Sequence, residues 1–330
     1  MTMPTLLDRR TVLQSAGAAG LLSLAGSHAF AQAYPAKVIR IVVPATPGGA
    51  IDIIARLVAD KLGVSLGQPV VVENKPGAAN NLGTDIVAKS APDGYTLVIV
   101  ASSHATNKFL YKQLPYDPVK DFEPIIYTHV VPLLLAVHPA LPVKTVAELI
   151  AWIKANPDKA NYASSGNGSS LHMAAELFMA MTKTKMLHVP YKGSSAAHPD
   201  LIGGRTMMIF DTVSAIQGHV KSGAVRGIAV TTKDRSSVFP DLPTIAEAAL
   251  PGYEASTWGG ILAPAGTPKD IVAKLNVALA AAMQLDDVKA KLTSAGVQIQ
   301  GGTPAQFAAV IQSEIDKWGK IVKDAGIEPE

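Results

Sequence analysis

The stretch KVIRIVVPATPGGAIDIIARLVADKL, Lys37 to Leu62, constrains the chain most, because it spells a strand, a glycine loop and a helix in immediate succession. Val38, Ile39, Ile41, Val42 and Val43 make a short β-branched run stopped by Pro44, the pattern of a strand buried on both faces. Ile51, Ile54, Val58 and Leu62 then recur at helical spacing. Between them runs a loop through Thr46, Gly48 and Gly49. Its glycines carry no Cβ, so a ligand can reach backbone N–H groups at the helix start. Such a loop suits an anion, and a carboxylate above all. Asp52, in the first helical turn, fits a structural role toward the helix dipole.

The same β-then-α pattern repeats. Val70 to Val72 reads as a strand, Pro76-Gly77 as a turn, and Ile86, Val87 and Lys89 as helix ended by Pro92-Asp93-Gly94, before a strand from Tyr95 to Val100. This alternation predicts an α/β fold of mostly parallel sheets flanked by helices, with ligand sites beyond the carboxyl ends of strands. Ser102 and Ser103 follow such an end and face the same space as the first glycine loop.

Leu133 to Val137 is the next predicted strand, and Thr145 opens a helix. The run Ser164, Ser165, Gly166, Asn167, Gly168, Ser169, Ser170 then mirrors the opening loop, with small residues, hydroxyls and a helix start in one place. Capping and carboxylate binding draw on the same N–H groups, so at least one serine caps while others meet ligand. Predicted strands ending at Pro190 and Phe210 deliver Tyr191 and Lys192, and then Asp211 and Thr212, to the same rim. Asp211 has two readings, an ammonium group on the ligand or a hydrogen bond to the opposing loop. Lys192 is the obvious cation beside the pocket, and Tyr191 either touches ligand or packs beneath the loop. Residues 32–132 with 255–330 form one predicted domain and 133–254 the other, so two crossings make a two-strand hinge.

Residues 1–31 are set apart as a signal peptide. Asp8-Arg9-Arg10-Thr11 is a twin-arginine-like n-region, an apolar AGAAGLLSLAG follows, and Ala29-Phe30-Ala31 supplies a cleavage site. The expected location is the periplasm. The chain has no cysteine, which removes disulfides, thiolate metal sites and a lipid-attachment cysteine together. Losing Arg9, Arg10 and Asp8 takes the net charge from +3 to +2, with no basic cluster, which argues against nucleic acid.

Taken together, VVPATPGGAIDIIAR, ENKPGAANNLGTDIVAKSAPDGYTL, LYKQLPYDPVKDFEPI, NYASSGNGSSLHMAAELF, HVPYKGS and WGGILAPAGTPKDIVAKLN resemble the Bug-type substrate-binding receptors of tripartite tricarboxylate transporters. The resemblance covers essentially all of the chain after the leader. It implies a two-lobed periplasmic-binding-protein fold that closes on a small carboxylate and presents it to membrane permease subunits. This chain departs from the family at Ala45, often aromatic there, at Ala50, commonly a third glycine, and at Thr212, usually Asn.

The expected function is therefore capture of a di- or tricarboxylate, an acidic amino acid or an aromatic acid by a monomeric, diffusing receptor. The alternatives are a periplasmic enzyme acting on a carboxylate and a ligand-presenting partner of a receptor kinase. No cofactor or metal is expected and the chain is not read as an enzyme, since it has neither a GxxxxGK[ST] loop nor a GxSxG elbow, and its histidines show no metal-site spacing. His104 and His172 are assigned structural hydrogen bonds.

Overall fold

The computed structural model describes residues 34–48 and 50–329, so the leader over 1–31 and Gly49 lie outside the described residues. Everything below concerns the unit that begins at Lys37. The opening apolar run forms β1 (Ile39–Val43), four of its five side chains buried completely, and α1 (Ala50–Leu66) follows with Ile54, Val58 and Leu62 turned inward. β2 (Val70–Asn74) and β3 (Thr96–Ala101) pair with β1 in parallel, one on each side. Their crossovers carry α2 (Asn81–Ala88), and α3 (Ser103–Leu110) leaves the end of β3.

β4 (Phe122–Val137) corrects the sequence reading, which places a strand only over its last five residues. Pro124 and Pro132 look like breaks, but neither ends the strand. Register shifts between Pro124 and Ile126 and between Tyr127 and His129 absorb the first. Pro132 sits opposite Ser256, the first residue of its partner strand, where a missing N–H interrupts the ladder least. The consequence is one strand serving two sheets. Residues 122–132 pair with β9 (Ser256–Pro264), and Leu133–Val137 pair with β7 (Met208–Thr212) and β8 (Arg226–Val230).

The second sheet is completed by β5 (Asn161–Ser164) and β6 (Leu187–Pro190), with β5 parallel to both β6 and β7. Its helices are α4 (Val146–Ala155), α5 (Ser170–Thr182), α6 (Ser194–Ile202), α7 (Val213–Lys221) and the short α8 (Ile245–Ala248). β9 then runs back antiparallel between β3 and β4, and α9 (Lys269–Met283), α10 (Asp286–Ser294), β10 (Gln298–Ile299) and α11 (Pro304–Ala325) finish the chain. Helices starting at Pro268 and at Pro304 are what the sequence predicts in this region, and α9 and α11 agree; α10 and β10 it does not anticipate.

The result is an α/β fold of two lobes, joined where β4 changes sheets and where β9 begins. One core packs Val42, Val98, Val100 and Leu262 under Phe307, Ile311 and Ile315 of α11. The other packs Leu133–Val137 with Tyr162, Phe178, Phe210 and Tyr253. A smaller cluster of Leu110, Met173, Trp318 and Val322 seats α5 against α3 and α11. Phe307, Ile311, Ile315, Trp318 and Val322 recur at helical spacing along one stripe of α11, which predicts packing rather than a partner face, and all five are buried.

Candidate functional site

The carboxyl ends of β1, β2 and β3 lie at Val43, Asn74 and Ala101, and those of β5, β6 and β7 at Ser164, Pro190 and Thr212. Thr212 pairs with Leu133, and the neighbouring Pro132 pairs with Ser256, close to the Ala101–Gly259 pair. Both rims therefore converge on the point where β4 passes from one sheet to the other. The glycine and serine loops named from the sequence as ligand loops follow strand ends on these rims.

In the first turn Thr46 and Gly48 are exposed, and Gly48 takes φ +82°, the left-handed region that favours glycine. The Gly48 N–H donates to Asp52 Oδ2 at 2.9 Å. Asp52, 2% exposed, also accepts from Arg56 and from Asn74 Nδ2. Burial pushes its pKa up, but those donors and the Arg56 charge outweigh burial and hold it below the usual carboxylate value. Asp52 is thus the brace of the loop, the role its position suggests.

The turn after β2 is one that sequence reasoning missed as a site. Ala78, Ala79 and Asn80 take φ of 46°, 47° and 77°, which costs roughly 1–2 kcal/mol for each residue with a Cβ. Asn107 Nδ2 holds it by donating to Ala79 O at 2.9 Å, while Asn80 Nδ2 donates to Ser103 Oγ at 2.9 Å. The one signal in the sequence is Asn80, a residue type that tolerates the left-handed region. Ser102, nearly buried, lies 3.3 Å from Thr257 Oγ1, a second residue the sequence did not flag.

In the Ser164–Ser170 turn the structure divides the serines by task. Ser164 is fully buried and folds the turn, accepting from the Gly166 N–H at 3.1 Å and sitting 2.6 Å from His188 Nε2. Ser169 caps α5, accepting from the His172 N–H at 3.3 Å. Ser165 and Ser170 are half-buried and Asn167 is exposed. The Gly168 N–H donates to His172 Nδ1 at 3.0 Å, and the His172 and His188 rings stack 4.1 Å apart. Burial, followed by the neighbouring His172, lowers the His188 pKa to about 4. Glu176 accepts from Tyr162 Oη at 2.7 Å and lies 3.4 Å from His172 Nε2.

Tyr191 packs against the second core and donates to Asp200 at 2.7 Å, while Lys192 is exposed. Asp211 is completely buried. Its Oδ2 accepts from His198 Nε2 at 2.6 Å and its Oδ1 from the Thr212 N–H at 2.7 Å. Neither partner is among the two that the sequence reading offers. Thr212 is half-buried at the start of α7.

The two rims meet where α3 reaches the Ser164–Ser170 turn. Thr106 Oγ1 donates to Gly168 O at 3.4 Å, and a Cβ on Gly168 would lie 2.5 Å from Leu110 Cδ1. A cavity of about 180 Å3 beside this contact is lined by Leu110, Tyr111, Asn167, Gly168 and His172. A second cavity, of about 240 Å3, is lined by Tyr127, Glu254, Ser256, Gln298, Glu314 and Lys317. There Glu314 is already committed to the Trp258 and Trp318 indole N–H groups and to Lys317.

The rims offer helix starts rather than charged forks. α2, α3 and α7 begin at Asn80, Ser102 and Thr212, residue types able to cap, yet none of these side chains caps, and α6 begins at Gly193 with none available. By contrast α4, α8 and α11 open with complete capping boxes at Thr145, Thr244 and Thr303, while α9 and α10 start at Pro268 and Leu285 without a side-chain cap. Three uncapped starts at the rims, those of α3, α6 and α7, leave N–H groups and positive helix ends for an anion, whereas at α2 the Asn81 and Leu82 N–H groups already donate to Ala78 O and Gly77 O. Among the described residues no group of His, Asp and Glu is placed to hold a metal, and no helix is long and apolar enough to cross a membrane.

Comparison with known proteins gives concordant matches. Residues 54–327 match the family model described as Tripartite tricarboxylate transporter family receptor. The chain is 39% identical over 298 residues to Protein BugT of Bordetella pertussis, covering 90% of this chain and 91% of that one. Among solved structures it is similar to R. palustris Rpa4515 with adipate, at 40% identity and a TM-score of 0.82, covering 90% of this chain and 100% of that one. It is similar also to MatC from Rhodopseudomonas palustris with bound malate, at 33% identity and a TM-score of 0.78, covering 88% of this chain and 100% of that one.

Proposed function

Because this chain belongs to the tripartite tricarboxylate transporter receptor family, we propose that it captures a small carboxylate between its two rims and delivers it to membrane permease subunits. The observation that carries this reading is the set of helix starts at the rims whose own side chains leave them uncapped. The adipate and malate held by two relatives are acids of the size such a cleft takes. The protein acts as a monomeric periplasmic receptor once the leader is removed near Ala31, and it returns its ligand unchanged. Its lobes are 32–132 with 255–330, and 133–254. They close about β4 and the start of β9, and a ligand favours the closed form only through contacts it makes better there.

Thermal unfolding of the refolded mature protein against a panel of mono-, di- and tricarboxylates tests this. A ligand at about a hundred times its Kd stabilises by roughly 2.7 kcal/mol, a shift of several degrees. Stabilisation by acids, with their nonionic amides inert and the acid recovered intact, supports the receptor. Chemical conversion of the acid, or stabilisation by none, refutes it.

A further inference from the structure

We infer that His172 is a positioning residue for the carboxylate of the proposed function, on which this inference rests: by accepting the Gly168 N–H it holds the Ser164–Ser170 turn in its binding shape, and only while its ring is neutral. The turn is built on Gly166 and Gly168, whose φ of +120° and +71° favour glycine, so its shape depends on what its N–H groups meet. Two acceptors from within the same segment fix it. Ser164 Oγ takes the Gly166 N–H at 3.1 Å, and His172 Nδ1 takes the Gly168 N–H at 3.0 Å. Ser169 caps α5. The hydroxyls of Ser165 and Ser170, half-buried and without a partner among the described residues, are what the fixed turn leaves to a ligand.

The other contacts of His172 fix its tautomer. The residue is 8% exposed, and its Nε2 lies 3.4 Å from Glu176 Oε1, which also accepts from Tyr162 Oη at 2.7 Å. Burial pushes the Glu176 pKa up, but these two donors and the neighbouring imidazoles hold it below the usual carboxylate value. An ionised Glu176 draws the imidazole proton to Nε2, which leaves the Nδ1 lone pair for Gly168. His188 of β6 stacks on this ring at 4.1 Å, and Tyr162 of β5 stacks on His188 at 4.9 Å, so the second core holds the ring in place. A second proton on His172 turns Nδ1 into a donor facing the Gly168 N–H, and the turn is released. The titratable groups around the ring are Glu176 on α5, which draws that proton, His188 on β6, Tyr162 on β5, and Tyr111 and Glu328 across the cavity of about 180 Å3. At 4.1 Å the two histidines do not carry charge together. Ligand affinity is therefore complete while the ring is neutral and falls as pH drops through the imidazole range.

Isothermal titration of the refolded mature protein with adipate and with L-malate, at about pH 7.5 and about pH 6, tests the inference. His172→Gln keeps an acceptor for Gly168 and a donor for Glu176 but does not titrate. At the higher pH it should bind within about threefold of wild type, while His172→Leu, with no acceptor, binds at least about tenfold more weakly. Between the two pH values wild-type affinity should fall at least about threefold more than that of His172→Gln. Protonation of the acid itself is common to both proteins and cancels in that ratio. Parallel pH profiles for wild type and His172→Gln overturn the inference while leaving the carboxylate receptor standing, and so does His172→Leu binding as wild type does. Where the leucine variant does not fold, the pH ratio decides alone. Failure of both acids to bind wild type at either pH overturns the receptor reading and this inference with it.

Discussion

Lowering the pH from about 7.5 to about 5 should remove about 6 kcal/mol of folding stability, because three histidines, two buried and His188 half-buried, are held in their neutral form. His104 is 2% exposed, donates from Nε2 to Pro118 O, and has a buried Nδ1 with no partner among the described residues. Burial lowers its pKa to about 4 from the ordinary 6.5. His129, 1% exposed beside Thr128, is lowered by burial to about 3, and His188 to about 4. In each case the unfolded chain takes up a proton near pH 6.5 that the fold refuses. The contribution is complete above about 6.5 and is lost as pH falls toward the folded values. A pH unit is worth about 1.36 kcal/mol per group, so about 1.5 units give about 2 kcal/mol each and about 6 together. That is comparable with the whole stability of many domains, about 5–15 kcal/mol. Carboxylates such as Asp52, whose folded pKa is lowered, lose their contribution at more acid pH and leave this window to the imidazoles. Urea denaturation at half-unit pH steps reads the effect, with imidazole NMR assigning it. Stability flat to within about 1 kcal/mol across the window, or ring titrations near 6.5, would refute the reasoning.

Three further perturbations follow from single contacts. Gly168→Ala forces a Cβ onto Leu110 at φ +71° and should cost about 1–2 kcal/mol in urea denaturation while weakening acid binding in titration calorimetry, because the rims meet there. His172→Leu deletes the acceptor of the Gly168 N–H, whereas His172→Gln keeps an acceptor of similar reach; hydrogen exchange at the Gly168 amide should accelerate at least tenfold in the first and stay near wild type in the second. Glu314→Ala leaves the Trp258 and Trp318 indole N–H groups unpaired, and about 2–4 kcal/mol should disappear from the denaturation free energy with no change in acid affinity.

How much of this was legible in the sequence depended on how local the cause was. The strand, loop and helix from Val38 to Leu62 could be read because a β-branched run, a proline stop and helical spacing lie side by side, and the structure agrees there. β4 was read only over Leu133–Val137, since Pro124 and Pro132 mimic boundaries and the bulges that accommodate them depend on the register with β9. α10 and β10 escaped because a polar helix and a two-residue strand carry no periodicity of their own. Of the turns at the rims, the one after β2 carried no site signal, and the internal wiring of the others was not legible either. That Asn80 reaches Ser103, that His188 meets Ser164 and that His198 takes Asp211 are pairings across 23, 24 and 13 residues. Only the packed fold brings such residues together.

The central claim is that a small carboxylate sits between the two rims, and backbone amide NMR during a titration with adipate tests it most directly. The account predicts that the largest shifts fall on Gly48, Ser103, Gly166, Gly193 and Thr212, at the turns where helices start with N–H groups to offer. Shifts confined to the region of Tyr127, Gln298 and Glu314, around the second cavity, would contradict it.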